Sequence, residues 1–268
     1  MSRKIKITIV GDTSNWNHPD FSKIKSSTAD QIKKSDLFIF NLEGPIYSKK
    51  VKQEFTPYNF FTFLIAKLFN KLQPIVFSDE NLPLQIPVGK INVACLANNH
   101  IKDRGLIGFR NTLKVLKKNG FLYVGAGSNI ADAKKILKLN INNKKIAIIN
   151  SNYIGWNFRG LFINIFGAGK DSFGANYLKW SELNEEINIL KKDGFYVIAV
   201  LHCGQEMKPM SENLKSKLSE ISADATVVHH QHYLEEINVK NTYTTGDFIF
   251  KARHLPKKRS SKLLEFNL

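Results

Sequence analysis

Short apolar runs, each closed by polar or turn residues, recur along the chain and set its architecture. Ile5 to Val10, Asp36 to Phe40, Ile91 to Leu96, Ile146 to Asn150, Tyr196 to Leu201 and Ala225 to Val228 are strand-length and rich in β-branched side chains, which predicts buried strands. Between them the apolar period lengthens to that of a helix. Leu106 to Asn119 repeats at helical spacing and stops at Gly120, a natural C-terminal cap. Ser181 to Asp193 has Ser181 as its expected N-cap and Gly194 past its end, and Ser211 to Ser222 and the shorter Thr28 to Ser35 complete the set. Strands alternating with helices predict an α/β fold. With no internal repeat, linker or long polar tract, the pattern predicts one domain over residues 1–268.

The chain is 43% hydrophobic and 23% charged, ample for a core. Its first residues are basic and lead into only a strand-length apolar segment, too short for a signal peptide or a membrane span. Cys95 and Cys203 each close an apolar run and are expected to pack reduced, so a cytoplasmic protein is predicted. The formal net charge of +16 favours anionic partners such as nucleic acid, phosphorylated sugars or an anionic membrane surface. The lysines are dispersed, however. Only Lys49-Lys-Val-Lys52 and Lys257-Lys-Arg259 cluster, and no aromatic-basic platform accompanies them, so nucleic acid is not the expected partner. Around 54–76 the chain carries a probable insertion in which Phe61, Leu64, Ile65, Leu68 and Leu72 share a helical face while Phe60 and Phe63 lie off it. Core packing explains it best; the sharper alternative is an interfacial helix peripheral to the inner membrane face, serving a lipid-linked substrate.

Side chains able to bind metal recur where the strand-like runs stop: Asp12, Glu43, Asn99 with His100, His202, and His229, His230 and His232. Ligands so scattered can converge only if a sheet delivers them to one edge, which the carboxyl ends of parallel strands provide. Gly11 is expected to permit a tight turn before Asp12. Asn99 offers a neutral oxygen and His100 a proton donor or acceptor, with Asp103 placed to orient it. His202 is followed by Gly204 and Glu206. Three histidines in four positions have little packing rationale after a buried strand, and His230 and His232, two apart in an extended segment, are expected to face one metal centre together.

In order along the chain, Gly11-Asp12, Asn41-Leu-Glu43, Ala97-Asn-Asn-His100 with Asp103 and Gly105, Gly125-Ala-Gly127, His202-x-Gly204-x-Glu206, His230-x-His232 and Gly246-Asp-Phe248 resemble the bacterial capsule-synthesis family. This is the CapA-like, poly-gamma-glutamate capsule group, related to calcineurin-like metallophosphoesterases. The resemblance implies a two-sheet β-sandwich flanked by helices in four layers. It implies a phosphoester hydrolase of capsule or surface-polysaccharide biosynthesis, acting on a phosphorylated small molecule or glycan. Two divalent ions would be bound by Asp12, Glu43, Asn99, His202, His230 and His232, with Glu43 bridging in place of the usual aspartate. His100 with Asp103 would be catalytic, and Asn98, Glu206, His229 and Asp247 would stand behind the ligands or touch substrate. Mixed nitrogen and oxygen ligation suits Mn, Fe or Zn better than Mg. The chain departs from the wider pattern at Ser14, where a histidine ligand is expected, and this predicts two unequal metal sites. Val228, Gln231, Cys203 and Asp247 replace a glycine, a proline, an aromatic residue and an asparagine. Rival readings are a polymer-synthesis factor or non-catalytic scaffold, and a nucleotidase or nuclease.

Overall fold

Leu37 and Ile39 alternate with Phe38 and Phe40 along one strand, and all four side chains are buried, so that strand is covered on both faces. The computed structural model describes residues 3–15, 19, 21–48, 76–154, 156–158, 161–163, 165–251 and 261–268. One sheet comprises β1 (Lys6–Thr13), β2 (Leu37–Leu42), β3 (Ile91–Cys95), β4 (Leu122–Val124), β14 (Asp247–Ile249) and β15 (Leu264–Asn267). Its order is β14-β1-β2-β3-β4, all parallel, with β15 antiparallel to the first half of β1. The second sheet comprises β6 (Leu137–Ile141), β7 (Lys144–Asn152), β11 (Tyr196–His202), β12 (Ala225–His229) and β13 (Thr242–Thr244), in the order β13-β12-β11-β7-β6. Two short antiparallel pairs lie outside them, β5 (Ala126–Gly127) with β10 (Gly174–Ala175) and β8 (Trp156–Phe158) with β9 (Leu161–Ile163).

Three apolar clusters define the layers. Ile7, Ile9, Leu37, Ile39 and Val93 from the first sheet meet Ile146, Ile148, Ile198, Val200 and Val227 from the second. The first sheet's other face, through Val10, Phe38, Phe40 and Ala94, packs on Ile32 of α1 (Ser26–Lys33) and on Phe109, Val115 and Leu116 of α2 (Gly105–Lys118). The second sheet's outer face, through Ala147, Ile149, Val197, Ala199 and Leu201, packs on Leu183, Ile187 and Leu190 of α3 (Trp180–Lys192) and on Leu214 and Leu218 of α4 (Glu212–Ser219). The result is helix, sheet, sheet, helix, as the resemblance implied. Burying each such aliphatic or aromatic side chain is worth about 1.5–3 kcal/mol, so the strand middles supply the stability and the strand ends are left to carry polar groups.

Of the four long helices only α4 begins with a side-chain cap. Gly120 takes a left-handed φ of 75° just past α2, and Ser211 caps α4 by accepting from the Leu214 amide. Ser181, expected to cap α3, lies inside its first turn; the helix begins at Trp180 behind Lys179 without a side-chain cap. Cys95 and Cys203 are buried and unbridged. The insertion around 54–76 lies, Val76 apart, outside the described residues, as do the lysine clusters at 49–52 and 257–259. Among the described residues no helix is long and apolar enough to cross a membrane.

Candidate metal centre

β1, β2 and β3 run parallel, as do β7, β11 and β12, so the carboxyl ends of each set share an edge. Asn150, near the end of β7, ties the two edges together: its Oδ1 accepts from the Ala97 amide at 2.7 Å and its Nδ2 donates to the Val200 carbonyl at 2.9 Å. Gly125 makes room for this, since a Cβ there would stand 2.0 Å from Asn150 Oδ1 and its φ is +91°. Asp12 does not follow β1 but lies within it, at a break in register. Gly11 accordingly serves no turn. A Cβ on it would stand 1.8 Å from the Gly246 carbonyl oxygen, so the residue permits the close approach of the chain leading into β14.

Two buried donor groups form at this edge. In one, ligand atoms of Glu43, His202 and His230 lie within 4.8 Å of one another, and Asn99 Oδ1 is 2.8 Å from His202 Nε2. In the other, Asp12, His232 and Asp247 meet the same limit of 4.8 Å. The expectation that His230 and His232 face one centre from an extended segment is corrected: they adopt φ values of 90° and 49°, and their rings enter different groups. Asp247, read as standing behind the ligands, supplies a carboxylate to the second group because β14 places it in register beside Asp12. Ser14 joins neither group; its hydroxyl shares a hydrogen bond with Ser78 at 3.0 Å.

Burial governs the charge of these groups. Desolvation pushes the Asp12 carboxyl up to about 6 against the pull of His232, and desolvation together with the charge of Asp12 holds Glu43 well above the usual carboxylate range. Burial and neighbouring imidazoles drive His202 and His230 well below the ordinary histidine value. His232 goes the other way: burial would lower it, but the hydrogen bond and charge of Asp247 and the charge of Asp12 raise it. Glu43 Oε1, His202 Nδ1 and His230 Nδ1 are buried without a hydrogen-bond partner. Such orphaned atoms cost about 1–3 kcal/mol each, and neutral imidazoles beside carboxylates are the forms that divalent ions take as ligands. The donor set therefore fits a metal.

The flanking residues hold the groups in place. Asn41 donates through Nδ2 to Asp12 Oδ1 and to Glu43 Oε2, both at 2.6 Å, and so fixes the spacing of the two carboxylates. Asn98 donates to the Leu42 carbonyl at 2.7 Å while its Oδ1 accepts from the His100 amide at 3.2 Å, which pins the Asn99–His100 turn to the end of β2. His100 Nδ1 lies 2.7 Å from Asp103 Oδ2, which also accepts from the Val76 amide at 2.8 Å, so Nδ1 is the donor and Nε2 faces Glu43 Oε1 at 3.8 Å. Glu206 is half-buried and close enough for its charge to reach Glu43 and His232. His229 belongs to neither group; it ends β12 in register with His202, and burial, opposed by the Val10 backbone, pushes it down to about 3. Sequence reasoning assigned no role to Asn41, Asn150 or Phe250, whose ring stacks on His232 at 4.6 Å. Asn41 was within reach, since it sits two residues before Glu43 in the same motif; the other two carry no signal in the sequence.

The family model described as bacterial capsule synthesis protein PGA_cap matches residues 7–252. The capsule biosynthesis protein CapA of Bacillus anthracis is 25% identical over 286 residues, covering 100% of this chain and 64% of that protein. The PGA biosynthesis protein CapA of Bacillus subtilis (strain 168) is 29% identical over 244 residues, covering 87% of this chain and 58% of that protein. The chain thus spans less than two thirds of the length of these relatives. Among solved structures, a hypothetical protein from Thermus thermophilus superposes with a TM-score of 0.47 at 14% identity, covering 91% of this chain and 75% of that one. A novel phosphatase from Mycoplasma pneumoniae superposes with a TM-score of 0.47 at 17% identity, covering 92% and 72%. Likeness at that level carries no functional argument. The family match runs from β1 through β14 and takes in every segment that builds the two donor groups, and the chain belongs to the bacterial capsule synthesis protein family.

Proposed function

We propose that this protein is a metal-dependent phosphoester hydrolase of capsule or surface-polysaccharide biosynthesis, acting on a phosphorylated small molecule or glycan. One observation carries the reading: an oriented imidazole, His100, presents Nε2 to Glu43 at 3.8 Å, beside two adjacent buried donor groups. Glu43, Asn99, His202 and His230 would hold one divalent ion, and Asp12, His232 and Asp247 a second. Such ions supply Lewis acidity, neutralising phosphoryl oxygens and acidifying water. Asn41 keeps Asp12 and Glu43 at a fixed separation between the groups. Asp103 holds Nδ1 of His100 as a donor, so Nε2 is the atom that faces substrate. As an imidazolium, with both ring nitrogens protonated, His100 gives its Nε2 proton to the leaving oxygen and is left neutral with Nδ1–H on Asp103.

The test is metal analysis of protein purified without chelators, combined with a panel of phosphomonoesters, phosphodiesters and nucleotides. His100→Ala should lower kcat about 100- to 10,000-fold with metal content unchanged. Hydrolysis that survives complete metal removal, or a His100→Ala variant as active as wild type, overturns the reading. The names of the relatives favour a second one, in which the site serves poly-gamma-glutamate assembly without hydrolysing a phosphoester. Full metal occupancy with no turnover anywhere on the panel would support that alternative.

A further inference from the structure

Arg104 directly follows Asp103, whose carboxylate holds both His100 and the Val76 amide. Its guanidinium carbon lies 3.9 Å from the centroid of the Phe77 ring and 5.0 Å from that of Tyr47. The two rings stand nearly perpendicular, 6.1 Å apart at 83°. They fix the guanidinium through cation–π contact. Arg104 Nε is buried without a hydrogen-bond partner; the charges of Tyr47 and Asp103 act on the guanidinium through space, but neither forms an ion pair with it among the described residues. Neighbouring cations are treated differently: Lys102 donates to the Gly167 carbonyl at 2.8 Å, and Lys90 pairs with Asp36 at 2.8 Å. Nor does α2 supply a counter-charge, since its first turn has no acidic residue and no side-chain cap.

Packing alone does not call for this residue. A leucine or methionine would fill the space between the rings without burying an unmet Nε–H, and an unmet charged donor is costly. Arginine's planar fork matches the two oxygens of a carboxylate or a phosphate. Position argues for substrate rather than structure: Tyr47 continues the loop that carries Glu43, and Phe77 follows the residue bound by Asp103. We propose that Arg104 is a binding subsite for a second oxyanion group of the substrate, a carboxylate or a phosphate adjoining the reacting phosphoryl group. The subsite rests on the reading of His100 and the two donor groups as the reacting centre.

Calorimetric titration of the as-purified full chain with inorganic phosphate and, separately, with glutarate tests the proposal and distinguishes the two oxyanions. Wild type should bind at least one probe. Arg104→Lys should weaken that binding at least tenfold and Arg104→Gln should abolish it, with Tm and metal content unchanged. Phenylglyoxal labelling of Arg104 in wild type, read by peptide mass spectrometry, should be slowed by the same probe. No binding of either probe, variants that bind like wild type, or labelling unaffected by the probe overturns the proposal. Binding is read without turnover, so an absence of hydrolysis leaves the subsite standing, while hydrolysis indifferent to Arg104 sinks the subsite alone.

Discussion

The two donor groups share one sheet edge yet differ in what holds them together. Both draw on both sheets, but in the Glu43, Asn99, His202 and His230 group the imidazoles are neutral with ring nitrogens unmet. The Asp12, His232 and Asp247 group is already closed on itself, with His232 Nδ1 at 2.6 Å from Asp247 and 3.2 Å from Asp12. An ion entering the first group meets free imidazole lone pairs and displaces the proton that burial favours on Glu43. An ion entering the second must displace a proton and break an ion pair. Ser14 pointed to inequality through a missing ligand; the structure places Asp247 in the Asp12 group, so the two donor groups differ in charge.

The strongest way to break this comparison is to count metal ions in His230→Ala and His232→Ala. Each should lose one ion of two, with affinity at the altered group falling on the order of 100-fold or more, since even partners behind the ligands are worth 10–100-fold. Loss of all metal in either variant would show one indivisible centre. Stability of the metal-free protein in urea separates the groups again. Asp247→Ala should cost about 3 kcal/mol by stranding a buried charge, whereas Glu43→Gln, which removes a buried carboxylate with an unmet oxygen, should gain about 1 kcal/mol. Equal effects of the same sign would erase the distinction.

The smallest effect is on pH dependence. His229, neutral and pushed down to about 3, contributes stability that is present above pH 6.5 and is lost as pH falls toward 3, because the unfolded chain takes up the proton first. His202 and His230, also depressed, act in the same sense. Asp12, raised from 3.8 to about 6, acts oppositely: its contribution is present below pH 3.8 and is lost as pH rises through about 6. The depressed histidines therefore weaken the metal-free protein on acidification below about pH 6.5, against the raised Asp12, Glu43 and His232, and removing one histidine isolates its share. His229→Gln should lessen the acid-side slope by up to about 1.4 kcal/mol per pH unit within the window. An unchanged slope would mean that His229 is protonated in the fold.

Much of the scaffold was legible because it is built from doubly buried strands. The runs ending at Val10, Phe40, Leu96, Asn150, Leu201 and Val228 all fall in strands or at their ends, and the four amphipathic segments are α1 to α4. β6, which pairs with β7 across the Asn142–Asn143 turn, escaped although it is local; four further strands that escaped are short and non-local. β4, β13, β14 and β15 are three or four residues each and depend on partners already in place. The start of α3 was also misplaced: Ser181, expected as the cap, lies one residue inside a helix that begins at Trp180.

By itself the sequence determined which strands are buried, which residue types stand at their ends, and the family these motifs identify. Hydrophobic period and local turn chemistry are encoded in neighbouring residues, so they can be read there. Only the tertiary structure decided how the donors divide. Placing Asp247 beside Asp12 takes a parallel pairing between β1 and β14, at opposite ends of the chain. Sending His230 and His232 to different groups takes two left-handed backbone conformations that no spacing rule anticipates. The stacking of Arg104 between Tyr47 and Phe77 depends on loops that meet only after the sheets have formed. Long-range register and backbone exceptions carry no local signature, because their energy is repaid by packing elsewhere in the fold.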